Sequence, residues 1–260
     1  MKQRRTNLTY VTRFCLTAFL FISFASMSSA QDWQNRKFAL NFRAPMLSWI
    51  SASSNYQSSA GVNLGYSIGT SMDFAINNNV YLSGGLQFTG NNGGTVRYSI
   101  GGNLWPRARL SNQMWNTGDK PLPDGVELNY KINMIEVPFS LKLYTNYNGN
   151  NRFFFELPMI SLGVIIKSRG EITAPNINAT DELITAETRS MMINLGAGAG
   201  LVHDVGFAEL YIGLYYQYGV TNLSRNNGRI AIGEPGNYTL IDDQTKLTMQ
   251  SLGLKMGIMF

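Results

Sequence analysis

Val62-Asn63-Leu64-Gly65-Tyr66-Ser67-Ile68-Gly69-Thr70-Ser71-Met72-Asp73-Phe74-Ala75-Ile76 alternates at every step. Its even positions are large and, Thr70 apart, apolar; its odd positions are Asn, Gly, Ser, Asp and Ala. A period of two belongs to a strand, on which successive side chains point to opposite faces. The glycines and serines would also weaken a helix over the same span. The stretch therefore predicts a long strand with one greasy face and one small, polar face.

The same alternation recurs along the chain. Phe38, Leu40 and Phe42 face away from Ala39, Asn41 and Arg43. Ile135, Val137, Phe139, Leu141 and Leu143 interleave with Glu136, Pro138, Ser140 and Lys142. Leu210, Ile212, Leu214, Tyr216 and Tyr218 oppose Glu209, Tyr211, Gly213 and Gln217. Leu252, Leu254, Met256, Ile258 and Phe260 oppose Ser251, Gly253, Lys255 and Gly257. Phe153–Lys167 turns apolar on both faces after Pro158, which predicts a bulge. Eight strands result, over about 37–50, 60–76, 80–90, 130–146, 151–167, 190–204, 207–223 and 246–260. Links at 77–79, 146–150 and 204–206 are short and turn-like, whereas 51–59, 91–129, 168–189 and 224–245 are longer and polar.

Strict alternation of long and short links puts all short turns at one end of an up-and-down meander, with both termini beside them. That is the layout of an all-β, eight-stranded antiparallel transmembrane β-barrel of the outer membrane. A secreted soluble barrel of lipocalin type would carry charges on its outward face, and here one face is nearly charge-free. Charged residues are 14% of the chain, against roughly 25% in an average soluble domain.

The first thirty residues read as a secretory signal. Lys2, Arg4, Arg5 and Arg13 precede the apolar run Phe14–Ala25, and Ser26-Met27-Ser28-Ser29-Ala30 leads into Gln31. Cleavage after Ala30 leaves a single barrel domain over 31–260. The leader holds four of the 21 basic residues and none of the 16 acidic ones, so the remainder carries a net charge of +1 instead of +5. The case for nucleic-acid binding goes with it. The one cysteine, Cys15, also lies in the leader, which leaves no disulfide, thiol catalysis or Cys-based zinc site in the rest.

The layout, together with Ile135-Glu136-Val137-Pro138-Phe139-Ser140-Leu141-Lys142-Leu143-Tyr144 opening the fourth strand and Gly219-Val220-Thr221-Asn222-Leu223 ending the seventh, resembles the PorT-like outer-membrane β-barrel family of Bacteroidetes. The resemblance implies an eight-stranded barrel and an association with protein secretion. Phe260 closes an apolar alternation, similar to the terminal signal that outer-membrane barrels offer their insertion machinery. Lys255 stands where that signal has a glycine, between Gly253 and Gly257.

Catalytic chemistry finds little purchase. His203 is the one histidine, and it sits in a tight turn with Asp204 at the periplasmic end, with no serine in the turn to activate. No cofactor, metal or catalytic residue is expected. The acid pairs Asp181-Glu182 and Asp242-Asp243 read as solvated loop charges, and Gly196–Gly200 as small inward residues within a strand. The leading expectation is a non-catalytic barrel: a scaffold, surface-interaction protein or secretion component. A lipid-modifying enzyme and a narrow channel are the alternatives. The expected partners are outer-membrane lipid, the insertion machinery and a protein at the surface or in the periplasm.

Two sets of residues carry the functional expectations. In the loop 91–129, Trp105, Arg107, Arg109 and Trp115 are candidates for contact with a glycolipid headgroup or a protein, or else pack the loop itself. In the lumen, parity points Arg43, Asp73, Glu136, Lys142, Glu156, Glu209 and Lys255 inward. Charges confined in so narrow a barrel should pair, with Lys142–Glu136 and Lys255–Glu209, or Lys255 with acids on the Arg43 side, as candidates. Tyr211, Tyr215 and Gln87 should fill the remaining space.

Overall fold

Alternating apolar side chains make each segment two-faced, and a closed barrel buries one face while satisfying every strand edge. A computed structural model describes residues 36–117, 120–234 and 237–260; the leader over 1–30 lies outside them. The strands are β1 (Arg36–Ala52), β2 (Gln57–Ala75), β3 (Val80–Tyr98), β4 (Gly102–Asn103), β5 (Glu127–Tyr144), β6 (Asn151–Ala174), β7 (Ile177–Leu183), β8 (Met191–Asp204), β9 (Glu209–Gly219), β10 (Arg229–Glu234), β11 (Asn237–Asp242) and β12 (Leu247–Met259). Eight of them form the ring β1-β2-β3-β5-β6-β8-β9-β12, closed by β12 against β1 and by β5 against β6. The chain is an eight-stranded antiparallel β-barrel. Phe260 completes the closing seam, donating its N–H to Phe38 O at 2.8 Å and accepting from Phe38 N at 3.0 Å.

The greasy faces point outward as a continuous belt. Val62, Leu64, Ile68, Leu82, Phe139, Leu195, Leu214 and Leu252 are all exposed, as a lipid-facing surface requires. The phase of that alternation is not constant. On β6, register slips between Glu156 and Met159 and again beside Asn133–Met134. Inward parity therefore passes from Arg152, Phe154 and Glu156 to Met159, Ser161 and Ile165, then to Ser168, Gly170 and Ile172. These two reversals are why the segment reads as apolar on both faces. Pro138 stays in register opposite Ser161, and the slips in β5 fall on either side of it.

Several strands run beyond the expected limits. β3 continues to Tyr98, β5 begins at Glu127 and β6 continues to Ala174, so the second outer link is 99–126, not 91–129. The β1–β2 link shrinks to 53–56, as short as the periplasmic turns. The two remaining outer links are structured: β7 folds back on β6, and β10 and β11 make a hairpin that pairs with β4.

Buried apolar residues form two clusters separated by a polar zone. The smaller lies at the short-turn end, where Ala39, Tyr81, Tyr144, Phe154, Val202, Tyr211 and Met259 meet. Phe154 is admitted there by the small residues beside it. A Cβ on Gly200 or Gly213 would lie 2.6 or 2.8 Å from its ring. The larger cluster fills the outer half of the barrel, where Ile50, Val96, Leu128, Ile132 and Ile172 pack with loop residues Leu104, Leu122, Ile184 and Leu223. The outer links thus fold down as a cap with its own core.

Candidate functional site

The polar zone of the lumen is built from inward positions of all eight ring strands. Lys142 on β5 donates to both carboxylate oxygens of Asp73 on β2, at 2.9 and 2.8 Å, reaching across β3. Ser83 of that intervening strand donates to Asp73 at 2.6 Å, and Tyr144 adds its hydroxyl at 3.3 Å. Lys255 on β12 donates to Glu156 on β6 at 3.1 and 2.7 Å, and Ser140 donates to the same carboxylate at 2.6 Å. These partners replace the expected Lys142–Glu136 and Lys255–Glu209. The stagger of strands around the ring decides which inward charges share a level, and parity carries no information about it.

Glu136, buried to 2% exposure, accepts from neutral groups instead. Gln87 and Thr89 donate to Oε2, and Ser161 and Asn194 to Oε1 at 2.9 and 3.2 Å. Hydrogen bonds to a charged group contribute about 1.5–3 kcal/mol each, so four donors can offset the loss of hydration without a cation in contact. Arg43 lies 4.5 Å over the face of Tyr215, with Nη1 3.5 Å from Gln217 Oε1. The buried mid-lumen set is balanced in charge, Arg43, Lys142 and Lys255 against Asp73, Glu136 and Glu156.

Glu209 stands apart from that set, at the short-turn mouth. It pairs with Lys37 and with Arg152 Nη2, the latter at 2.6 Å, and accepts from Tyr147 Oη at 2.8 Å. The Arg152 guanidinium stacks 4.0 Å from the Tyr144 ring centre and 4.7 Å from that of Tyr147. Lys37 and Arg152 escaped the sequence reading, although Arg152 shares the parity of Phe154 and Glu156. Tyr81, Tyr144, Phe154 and Tyr211 form a chain of ring contacts beside this latch, so that aromatic side chains and ion pairs together fill the short-turn end.

At the other end the two tryptophans pack inward. Trp105 is buried, donates Nε1–H to Tyr130 Oη at 3.0 Å and meets that ring edge-on at 5.3 Å. Its ring also covers Gly170, where a Cβ would come within 2.5 Å. Trp115 packs half-buried against the same core. The expectation of surface contact therefore fails for Trp105, because the cap core needs its area. Arg107 and Arg109 are exposed; Arg109 is held by its backbone against Leu183. Arg107 lines a surface cavity of about 250 Å³ with Asn103, Pro106, Asn227 and Arg229. Beneath it Glu187 accepts from Arg107 N–H and Asn227 Nδ2.

The loop acids are engaged locally: Asp181 with Arg169, Glu182 with Ser111, Asp242 with Arg229 and Asp243 with Gln57. His203 is exposed, its Nδ1 2.8 Å from Asn151 Oδ1, and Asp204 Oδ1 accepts from Gly206 N–H in the same turn. Among the described residues, no three His, Cys, Asp or Glu side chains converge as metal ligands.

A family model described as "Outer membrane protein beta-barrel domain" matches residues 30–225. No curated protein sequence matches the chain. Among solved structures, the chain is similar to Neisserial surface protein A at 12% identity and a TM-score of 0.39, covering 86% of this chain and 95% of that one. It is similar to Ail, the attachment invasion locus protein of Yersinia pestis, at 9% identity and a TM-score of 0.36, covering 87% and 99%. The outer membrane protease OmpT from Escherichia coli is matched at 8% identity and a TM-score of 0.37, covering 87% and 96%.

Proposed function

The chain belongs to the outer membrane protein β-barrel domain family, and from that premise we propose that this outer-membrane barrel is a closed, non-catalytic scaffold that presents its folded cap to a partner at the cell surface. The observation that carries the reading is the lumen. Its charges are absorbed by one another and by neutral donors, with an apolar cap above and an aromatic latch below. The one histidine, His203, is exposed at the periplasmic end of β8, away from that interior.

The finer assignments belong to the same proposal. Residues 1–30 are an export leader and 31–260 the barrel that remains. The Glu136-Val137-Pro138 motif supports a PorT-like barrel of Bacteroidetes, and with it a place in protein secretion as one form the scaffold role takes. The barrel reaches the membrane through the insertion machinery that reads its terminal strand, and it requires no cofactor and no nucleic acid.

Gentle crosslinking in cells tests the reading, with the photoreactive group placed at exposed Arg109. A discrete partner captured from Arg109 and not from Phe207, exposed in a short turn at the other end, supports it. A deletion strain with altered lipid A by mass spectrometry, reproduced by His203→Ala, would replace it with a lipid-modifying enzyme.

A further inference from the structure

The upper bulge of β6 turns two successive side chains to the same side. Register passes from Asn133 opposite Lys167 to Met134 opposite Ile165, leaving Ile166 as the extra residue. Ile166 and Lys167 are consequently both exposed. Ile166 continues the outward aliphatic surface of Val164, Met191 and Ile193, and Lys167 stands directly above it. The segment after β7 runs alongside, where Ile165 N–H donates to Ser190 O at 2.8 Å.

Two arginines flank Ser190. Arg225 donates through Nη2 to Ser190 Oγ at 3.0 Å and through Nε to Thr188 O at 2.7 Å. Arg189 reaches the opposite way, its Nε donating to Ser224 O at 3.2 Å. The pair thus clasps the bridge between Thr188 and Ser224 from both sides. Carbonyl partners fix a guanidinium in place without neutralising it. Among the described residues, no carboxylate pairs with Lys167, Arg189 or Arg225. Neighbouring cations differ in this respect, since Arg169 pairs with Asp181 and Lys131 with Glu171.

Three uncompensated cations therefore sit where the aliphatic belt ends, on the long-loop side of the barrel. We propose that this sector of the rim binds the anionic phosphate headgroup of an outer-leaflet lipid, whose acyl chains lie along Ile166, Met191 and Ile193. The planar forks of the arginines match phosphate oxygens, and Lys167 adds a flexible point charge. A soluble phosphate would meet the cations alone. The aliphatic side chains contiguous with them select the lipid. The inference goes beyond the scaffold role and does not depend on it.

Native mass spectrometry of the mature chain, released from detergent with equal phosphatidylglycerol and phosphatidylcholine of the same chain length, tests the site. Phosphatidylglycerol should be retained over phosphatidylcholine by about fivefold, the scale of one surface cation's attraction. Lys167→Gln combined with Arg189→Gln and Arg225→Gln should bring the ratio to parity. Arg189→Lys with Arg225→Lys should preserve it, as should Lys131→Gln. Lys167→Gln alone removes no hydrogen bond of the clasp, and it should lower the ratio with heat-modifiability intact. Equal retention of the two lipids by the unaltered protein would overturn the proposal, as would an undiminished ratio in either Lys167→Gln protein. Displacement of bound phosphatidylglycerol by equimolar glycerol 1-phosphate would reassign the site to a free phosphate and overturn its lipid part.

Discussion

Lys142 and Asp73 lie 69 residues apart, on strands that are not neighbours, yet both oxygens of the Asp73 carboxylate accept from the lysine ammonium within 2.9 Å. Side-chain exposure is 5% for the lysine and none for the aspartate. Breaking a buried pair by removing one partner costs about 3–5 kcal/mol, because the other charge is stranded. Lys142→Met should therefore lower the unfolding free energy of the barrel, read from urea titration, by that order. Lys142→Met combined with Asp73→Asn should recover much of the loss, and additive losses would contradict the pairing.

A sealed lumen should be electrically silent. Purified protein in planar bilayers is expected to show no reproducible open steps, since the Tyr81–Tyr144 and Phe154–Tyr211 contacts and the Glu209 latch close one mouth and the cap core the other. Steady conductance altered by Glu136→Gln would show instead that the polar zone lines a channel.

Trp105 joins the cap to the extended wall of β5 and β6. Removing a buried aromatic ring costs about 3–5 kcal/mol, and here that loss should fall on the cap. Trp105→Ala is expected to make the segment 99–126 sensitive to limited proteolysis while the barrel stays heat-modifiable. Loss of heat-modifiability together with the cap would mean that the two fold as one unit.

The cap should respond to pH through Glu187. Burial pushes its carboxyl above the usual glutamate range, against the hydrogen bonds from Arg107 N–H and Asn227. The folded cap thus favours the protonated form. That contribution is complete below the unfolded pKa and is lost as pH rises through the raised folded value. Proteolytic protection of the cap should fall across that window, and Glu187→Gln should flatten the dependence. An unchanged slope in the variant would locate the titration elsewhere.

The barrel was legible in the sequence because lipid on one side and a packed lumen on the other force every strand into a period of two, as Val62–Ile76 shows. Which residues face inward was legible as well, up to the register slips of β1, β3 and β6, where parity reverses. The partners of those residues were not. Asp73 and Lys142 meet only because of the stagger of β2, β3 and β5, a property of the closed ring and of no segment within it. The cap was the least legible part. Trp105 beside Arg107 and Arg109 reads equally well as a contact surface, and only the room above Gly170 decides that its ring turns inward.

Lys255 gives the closing seam a chronology. It belongs to the last strand, and its counter-charge Glu156 sits on β6, three strands away across β9 and β8. Zipping β12 onto β1 before β6 has arrived would leave a naked ammonium opposite the cation Arg43, its partner across the seam. A charge whose partner lies on a strand it does not touch should therefore favour the order in which the wall is completed first and the ring shut last.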